Sequence, residues 1–350
     1  MTRHSIDSAR TIDCHAHARI EVDMGPQWAH GPEYGVDDKG QAWYRVGNYR
    51  LAGVKHARSP FTDPQLRIEA MNAAGIDYQV LSPSPLTYFH FIERADAIEY
   101  CRKWNDSLAE LCERHSDRLA GVATLPMQDP DAAARELSRA VNELGLVGGA
   151  IGTDFGTSME SADVDVLYAV ACAEDVPLFV HGVPAGIDGP PGDPNLRRFD
   201  LDVVCGFAAQ ITIAVATVIY GGVMCRHPKL KICFSDGGGA TPFLAGRMQQ
   251  AALKRPWSPD WLREPGAFEK FLRMLWFDAN VGDARSLDLL IDVIGTDRLV
   301  MGTNFAGWDQ QDSIKKGADL PMLADNARRL LALDARESKR RGRMRPVAKS

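Results

Sequence analysis

Thr11-Ile12-Asp13-Cys14-His15-Ala16-His17 is the stretch on which the fold turns. A short apolar start leads from a polar N-terminus into Asp-x-His-x-His. If Ile12 to Ala18 is a strand, side chains alternate between faces, so His15 and His17 point the same way. Two imidazoles so placed can close on one divalent metal with nitrogens about 2.0–2.1 Å from it. Taken alone, the pair reads equally well as two surface histidines near a terminus.

Outward from this segment, short β-rich runs recur at residues 11–14, 78–82, 119–124, 149–152, 177–180, 231–234, 275–278 and 298–302. Helical patterns with capping signals lie between most of them. Asp63-Pro64 opens a helix through Ala74 that stops at Gly75, and Asp129-Pro130 opens another through Leu144 that stops at Gly145. Tyr100, Trp104, Leu108 and Leu111 stand at helical spacing within Glu99–His115, as a face packed on a sheet would require. Eight strands alternating with helices predict parallel βα units closing into a (β/α)8 TIM barrel. An open doubly wound sheet is the alternative, but no glycine-rich phosphate loop follows the first strand. Residues 1–335 are expected to form this single domain, and the basic stretch 336–350 a frayed, solvated tail. Long insertions follow strands one (Glu21 to Pro60) and five (Pro184 to Asp200), on the face where a barrel keeps its substrate contacts.

Composition sets bounds. The 350 residues are 45% hydrophobic and 25% charged, with a formal net charge of −6. That balance gives no reason to expect nucleic acid or an anionic membrane as partner. The seven cysteines are scattered and mostly within apolar runs, as reduced thiols packed like small hydrophobes would be. No N-terminal signal core is evident, and no apolar stretch is expected to reach bilayer-spanning length. These features predict a cytoplasmic protein.

The ends of the strands carry the chemistry. Strand one ends in His15 and His17, strand five in His181, strand six in Asp236 before Gly237-Gly238-Gly239, and strand eight in Thr303-Asn304. In a parallel barrel these positions meet at one mouth, where three imidazoles with nearby oxygen ligands make an open metal site. His227, at a helix end, reads as a helix-terminal charge. Asp309 reads as a spare carboxylate, and Phe305 and Trp308 as pocket wall or core. His56 and His90 carry no signal.

In order and spacing these motifs resemble the amidohydrolase superfamily, in the branch typified by aminocarboxymuconate semialdehyde decarboxylase. Further matches are Asp63-Pro64 through Met71, Leu125-Pro126-Met127-Gln128, Phe179-Val180-His181, Gly221-Gly222-Val223, Gly237-Gly238-Gly239-Ala240 with Pro242-Phe243, and Gly302-Thr303. The resemblance implies a metal-dependent barrel enzyme, zinc foremost with manganese or another divalent ion as alternatives. Its expected activity is non-oxidative decarboxylation of a small aromatic or unsaturated carboxylic acid. Hydrolysis or hydration on the same scaffold is the runner-up, and a catalytically impaired binding protein that keeps the pocket is the reading from another class. His15, His17 and His181 would bind the metal. Arg58 would grip a substrate carboxylate, and Arg247 would reach into a partner subunit's site, implying a homodimer.

Two positions depart from the family pattern. Asp236 stands where the family carries a proton-handling histidine, and Asn304 where it carries a metal-binding aspartate. An Asn amide oxygen is a neutral, poorer ligand. An ordinary Asp titrates near 3.9 against about 6.5 for His, so it exchanges protons less readily near pH 7. Either the lost carboxylate has moved from strand eight to Asp236, which would then join the metal ligands, or the site has lost its proton handler.

Overall fold

The computed structural model describes residues 6, 8–53, 58–184, 193–305, 307, 310 and 320–332. Twelve strands occur among them: β1 Ile12–Ala18, β2 Glu33–Val36, β3 Ala42–Val46, β4 Tyr49–Ala52, β5 Tyr78–Pro83, β6 Leu119–Gly121, β7 Ala123–Thr124, β8 Gly149–Gly152, β9 Pro177–His181, β10 Lys231–Phe234, β11 Trp276–Asp278 and β12 Leu299–Val300. All nine parallel segments fall on the eight predicted runs, with β6 and β7 sharing the third and broken only at Val122. One parallel sheet runs β1-β5-β6 and a second β12-β11-β10-β9-β8-β7. Val122 N donates to Leu81 O, carrying the first sheet into the second, and Asp13–Met301 and Ala16–Phe305 bridges close the ring. The result is the expected (β/α)8 barrel. Its strands read as continuous apolar runs because both faces are buried.

Each barrel strand gives a side chain to one buried cluster: Cys14, Val80, Val122, Ala150, Phe179, Cys233, Trp276 and Val300. Barrel geometry places such a layer inside the cylinder. Two residues further along, on the same face, stand Ser82, Thr124, Gly152, His181, Ser235, Asp278 and Gly302. The functional mouth is therefore the next storey of the same barrel. β1 reaches it differently. Asp13 pairs with Gln79 and Ala16 with Leu81, so β1 carries one extra residue there, a bulge. The bulge lets β1 contribute Cys14 to the apolar layer and still turn His15 and His17 into the mouth.

Helix signals behave as predicted, with local shifts. Asp63 caps Pro64–Ala74 by accepting from the amides of Gln65 and Leu66, and Gly75 ends it at φ 71°. The helix opened by Asp129 stops at Asn142, two residues short of expectation, and the chain turns to reach Gly145 at φ 74°. The third spans Arg94–Arg114, five residues earlier than its apolar periodicity indicated, and buries Tyr100, Trp104 and Leu108.

The insertion after strand one is not irregular. β2, β3 and β4 form an antiparallel three-stranded sheet of their own. Beyond strand five, a π turn at Asp202–Gly206 runs into the helix Phe207–Tyr220. The combined run Asp202–Tyr220 is long and apolar enough to cross a membrane by length and composition, which corrects the sequence expectation; no charge interrupts it after Asp202. Here it packs on the barrel, with Gln210 accepting from Thr153 Oγ1 at 2.7 Å and from Val183 N at 2.9 Å. All seven cysteines are unpaired, but Cys205 and Cys225 are exposed rather than packed, since one lies in the π turn and the other on a short surface helix. His56, Trp308, Asp309 and the tail 336–350 lie outside the described residues.

Candidate metal centre and its cavity

The three histidines converge. Their ring centroids stand 5.0, 5.1 and 5.1 Å apart, and their candidate ligand atoms all lie within 4.8 Å of one another. All three are buried. His15 Nε2 and His17 Nε2 are 3.3 Å apart. Nitrogens about 2.0–2.1 Å from a tetrahedral ion stand about 3.3 Å from each other, so this spacing suits one metal.

Each ring also spends its other nitrogen on an acceptor. His15 Nδ1 lies 2.7 Å from Asp278 Oδ2, His17 Nδ1 3.0 Å from Pro83 O and 3.1 Å from Ser82 Oγ, and His181 Nδ1 2.8 Å from Gly182 O. An Nδ1–H donated outward fixes the tautomer and leaves the Nε2 lone pair for a metal. Three buried histidines with all three Nδ1 atoms so engaged fit a divalent ion. The convergent His/Cys/Asp/Glu set among the described residues holds these histidines and does not extend to Asp236.

Asp278, at the end of strand seven, is the residue sequence reasoning missed. Its other oxygen accepts from Gly237 N at 3.2 Å and Asn280 N at 3.1 Å, so the carboxylate is held from two sides. Gly302 permits the contact: a Cβ there would lie 2.8 Å from His15 Cβ and 3.0 Å from Asp278 Cβ. The signal was a polar residue closing a predicted strand, with a partner 263 residues away in sequence.

Charge distribution divides the trio. Burial opposes a charge on His15, but the Asp278 carboxylate beside it outweighs this and lifts it to about 9, with Asp236 and Asp13 adding. His17 is pushed well below the usual imidazole range by burial and by its neighbours His15 and His181. His181 falls to about 3 for the same two reasons, burial and His15.

Behind β1, Asp13 anchors the strand-eight loop. Its oxygens accept from Thr303 N at 3.1 Å, Thr303 Oγ1 at 2.7 Å and Gln79 Nε2 at 2.9 Å. Gln79 Oε1 in turn accepts from Arg67 Nη1 at 3.0 Å. Phe305 is buried in the core beneath the Arg67 guanidinium, 5.2 Å from ring centroid to Cζ, so the core reading of this residue holds.

Asp236 and Asn304 sit at the same mouth with left-handed backbone, φ 50° and 47°. Asp and Asn are among the non-glycine residues that tolerate it. Asp236 Oδ1 accepts from Asn280 Nδ2 at 3.0 Å, and Ser235 Oγ lies 3.4 Å from Oδ2. Gly239 packs so closely that a Cβ would lie 2.1 Å from Ala208 O. This explains the glycine run after Asp236.

A cavity of about 490 Å3 opens over the site, with His17, His181, Asp236, Asn280 and Asn304 in its polar wall. Leu51, Phe61, Leu86, Phe207, Phe243 and Leu289 supply much of the apolar wall. That size and character suit a small ring-bearing ligand. Tyr49 of β4 hydrogen-bonds Asp202 of the π turn, and burial followed by Asp202 raises its phenol far above the ordinary range. The two insertions thus meet beside the cavity.

The remaining predicted residues lie apart. Arg58 is exposed at φ 52°, Arg247 is exposed on the helix Thr241–Lys254, and neither lines the cavity. His227 ends a short helix and bonds Asp165 at 2.9 Å, as its helix-end reading expected. His90 bonds the Asp154 carbonyl at 2.9 Å, away from the trio.

Comparison with known proteins agrees with this geometry. The family model described as amidohydrolase matches residues 12–338. A 2-amino-3-carboxymuconate-6-semialdehyde decarboxylase of Dictyostelium discoideum is 29% identical over 244 residues, 69% of this chain and 66% of that protein. A gamma-resorcylate decarboxylase of Rhizobium radiobacter is 29% identical over 304 residues, covering 77% and 87%. The crystal structure of a 5-carboxyvanillate decarboxylase from Novosphingobium aromaticivorans, complexed with manganese, superposes with a TM-score of 0.69 at 23% identity, covering 78% and 81%, and so shares the fold. The chain belongs to the amidohydrolase family, in the branch of aminocarboxymuconate semialdehyde decarboxylase-like proteins.

Proposed function

We propose that this protein is a metal-dependent non-oxidative decarboxylase of a small aromatic or unsaturated carboxylic acid. The observation that carries this reading is the convergence of three buried histidines whose Nδ1 atoms are all engaged, under a largely apolar cavity, in a chain whose relatives include several decarboxylases. His15, His17 and His181 would hold the ion through Nε2, with the Asn304 amide oxygen as a neutral further ligand. Zinc suits a trio of imidazoles, and manganese is the alternative. A divalent ion there supplies a Lewis acid that orients the acid and withdraws charge as the carboxylate leaves.

The chain's own groups do the rest. The apolar walls keep water from the reacting carbon, and a poorly solvated carboxylate is disposed to leave as CO2. The electron pair of the broken C–C bond remains on the ring carbon, which must take a proton. Asp236 is the carboxyl group in the cavity wall, and we assign the delivery of that proton to it. Relocation of Asp236 onto the metal is the competing role, for which its place outside the histidine cluster gives no support. Arg58 and Arg247, which do not line the cavity within one chain, would bind a substrate carboxylate as the resemblance implies, Arg247 in the site of a second subunit.

A homodimer follows from that role. Phe243 is 80% exposed and stands one turn before Arg247 on the same helix, and Ile213 is 65% exposed on the helix Phe207–Tyr220. Exposed apolar groups of this size suit a protein interface. Light scattering should give about twice the 38.4 kDa chain mass, and a monomer at micromolar concentration would contradict the dimer. Unpaired cysteines, two of them exposed, support a reducing, cytoplasmic location.

Activity is tested by offering metal-loaded protein a panel of benzoic and muconic acids while following CO2 and absorbance. One CO2 per acid consumed, lost in His181→Ala, is the expected result. Addition of water without CO2 would move the protein to the hydratases. No conversion of any acid would leave a binding protein.

A further inference from the structure

We infer that a buried relay, Asp13–Gln79–Arg67, holds the His15-Ala16-His17 segment at both ends and ties it to the loop carrying Asn304, so that a carboxylate outside the histidine cluster sets the geometry of the metal centre. The inference rests on the metal-binding part of the proposed function and is independent of decarboxylation.

Asp13, Gln79 and Thr303 are 0% exposed and Arg67 is 2% exposed. The bulge in β1 lies at Cys14 and His15, and the His15 amide there donates to Asp13 Oδ1 at 3.1 Å. Thr303 N, Thr303 Oγ1 and Gln79 Nε2 are three further donors to the same carboxylate. Four donors answer the acceptor sites of an ionised carboxylate, which has no proton to give. Arg67 can only donate, so Gln79 must turn Oε1 to it and Nε2 to Asp13. Arg67 spends its Nη2 on the His17 carbonyl. One relay thus holds the amide of the first histidine and the carbonyl of the second.

The same links reach strand eight. Thr303 is bonded to Asp13, and Phe305 N donates to His15 O at 3.3 Å, so Asn304 is clamped between two residues tied to the histidine segment. Asp13 and Arg67 are opposite charges with an amide between them, all out of water, where a mismatched donor is costly. Removing one charge leaves the other buried and uncompensated. Asp13, Gln79 and Arg67 are positioning residues, since none belongs to the histidine cluster or lines the cavity.

The polarity of the relay supplies a test that a general loss of packing would not pass. In Asp13→Asn, the new amide and that of Gln79 present N–H groups to each other, and flipping Gln79 only moves the conflict to Arg67. In Gln79→Glu, two carboxylates meet. The double variant, Asp13→Asn with Gln79→Glu, gives every donor an acceptor again and sets the carboxylate beside Arg67 at unchanged net charge. Metal-free protein is titrated with cobalt alone, its visible bands reporting ligand geometry and chelator competition giving affinity. Each single variant should bind cobalt about tenfold or more weakly than wild type, with shifted bands. The double variant should return to within about threefold of wild type and recover its bands.

Single variants that bind cobalt as wild type does, or a double variant no better than the weaker single, overturn the relay. If Asp13→Asn does not fold, Thr303→Val takes its place, removing one donor and no charge; shifted bands are expected there, and unshifted bands overturn the inference. Wild type that binds no cobalt sinks the proposed function instead. The relay is then judged by unfolding of the metal-free protein, where Gln79→Glu should restore the stability lost in Asp13→Asn, and the absence of that rescue overturns it. Cobalt bound and rescue seen, with no CO2 from any acid, would fail the decarboxylase reading alone.

Discussion

The two sides of the barrel mouth are built differently. On the histidine side, each imidazole is fixed by a second hydrogen bond, to Asp278, to Pro83 with Ser82, or to Gly182. On the side formed by strands six and eight, Asp236 and Asn304 occupy left-handed backbone, at the two positions where the resemblance implies a histidine and an aspartate. The histidine side is thus over-determined by groups around the trio, while the other side is where the resemblance leads one to expect a change of chemistry. A site can keep its centre and alter its substrate when the two tasks are held by different strands.

The largest break in this comparison is His181→Ala. It removes one of three converging nitrogens, and bound metal measured by elemental analysis should fall to about a tenth or less of its wild-type level, on the general dependence of zinc sites on their ligand count. Metal retained at the wild-type level would end the metal-centre reading.

Next is Asp278→Ala, which leaves the ligands in place and removes what orients His15. Loss of such a partner costs about 10–100-fold in metal affinity. Competition against a chelator would measure it, and an unchanged affinity would mean that the 2.7 Å contact with His15 is ornamental.

A third prediction uses pH. With His15 raised to about 9 and His181 lowered to about 3, the metal-free trio carries one proton near neutrality, on His15. The metal must displace it. Binding at pH 6 should therefore release about one proton per ion, falling toward none as pH rises past 9, with affinity climbing about tenfold per pH unit in between. Calorimetry in buffers of different ionisation enthalpy counts the protons, and none released at pH 6 would contradict the assignment. Stability of the metal-free protein follows the same sign. The raised His15 contributes stability that is present below about 6.5 and is lost as pH rises through about 9.

The finest test concerns the changed side. Wild type, Asp236→His, Asn304→Asp and the double variant form a cycle read in activity and metal content. If Asp236 handles protons without reaching the metal, restoring histidine should raise turnover, since matched acid–base groups contribute about 10²–10⁴-fold. If it replaces the carboxylate missing at Asn304, the double variant should outperform both singles. Coupling below about 0.5 kcal/mol would rule out relocation.

Much of this was legible in the sequence, for physical reasons that differ by region. The barrel strands announce themselves because a strand buried on both faces must be apolar throughout, and Asp63-Pro64 and Asp129-Pro130 mark helix starts chemically. His15, His17 and His181 stand out because each ends an apolar run. Asp278 ends one too, in Trp276-Phe277-Asp278, but an acidic residue after a strand is common, and nothing local shows that His15 is its partner. Gln79 is less visible still, because its role lies in the orientation of an amide. The sheet β2–β4 escaped notice because Glu33–Val36 is largely exposed and offers no apolar alternation to read.

The bulge in β1 has a consequence for how this protein could be altered. Reading frame along a strand is ordinarily a matter of stability, since a one-residue slip turns buried groups outward. Here one extra residue between Asp13 and Ala16 keeps Ile12 and Cys14 in the barrel's inner apolar layer and still delivers His15 and His17 to its mouth. Excising Cys14 would restore regular pairing, moving His15 into the place Cys14 holds in the apolar layer while His17 stays paired with Ser82. A single deletion, more than any substitution, would separate the barrel as a folded body from the barrel as a metal protein.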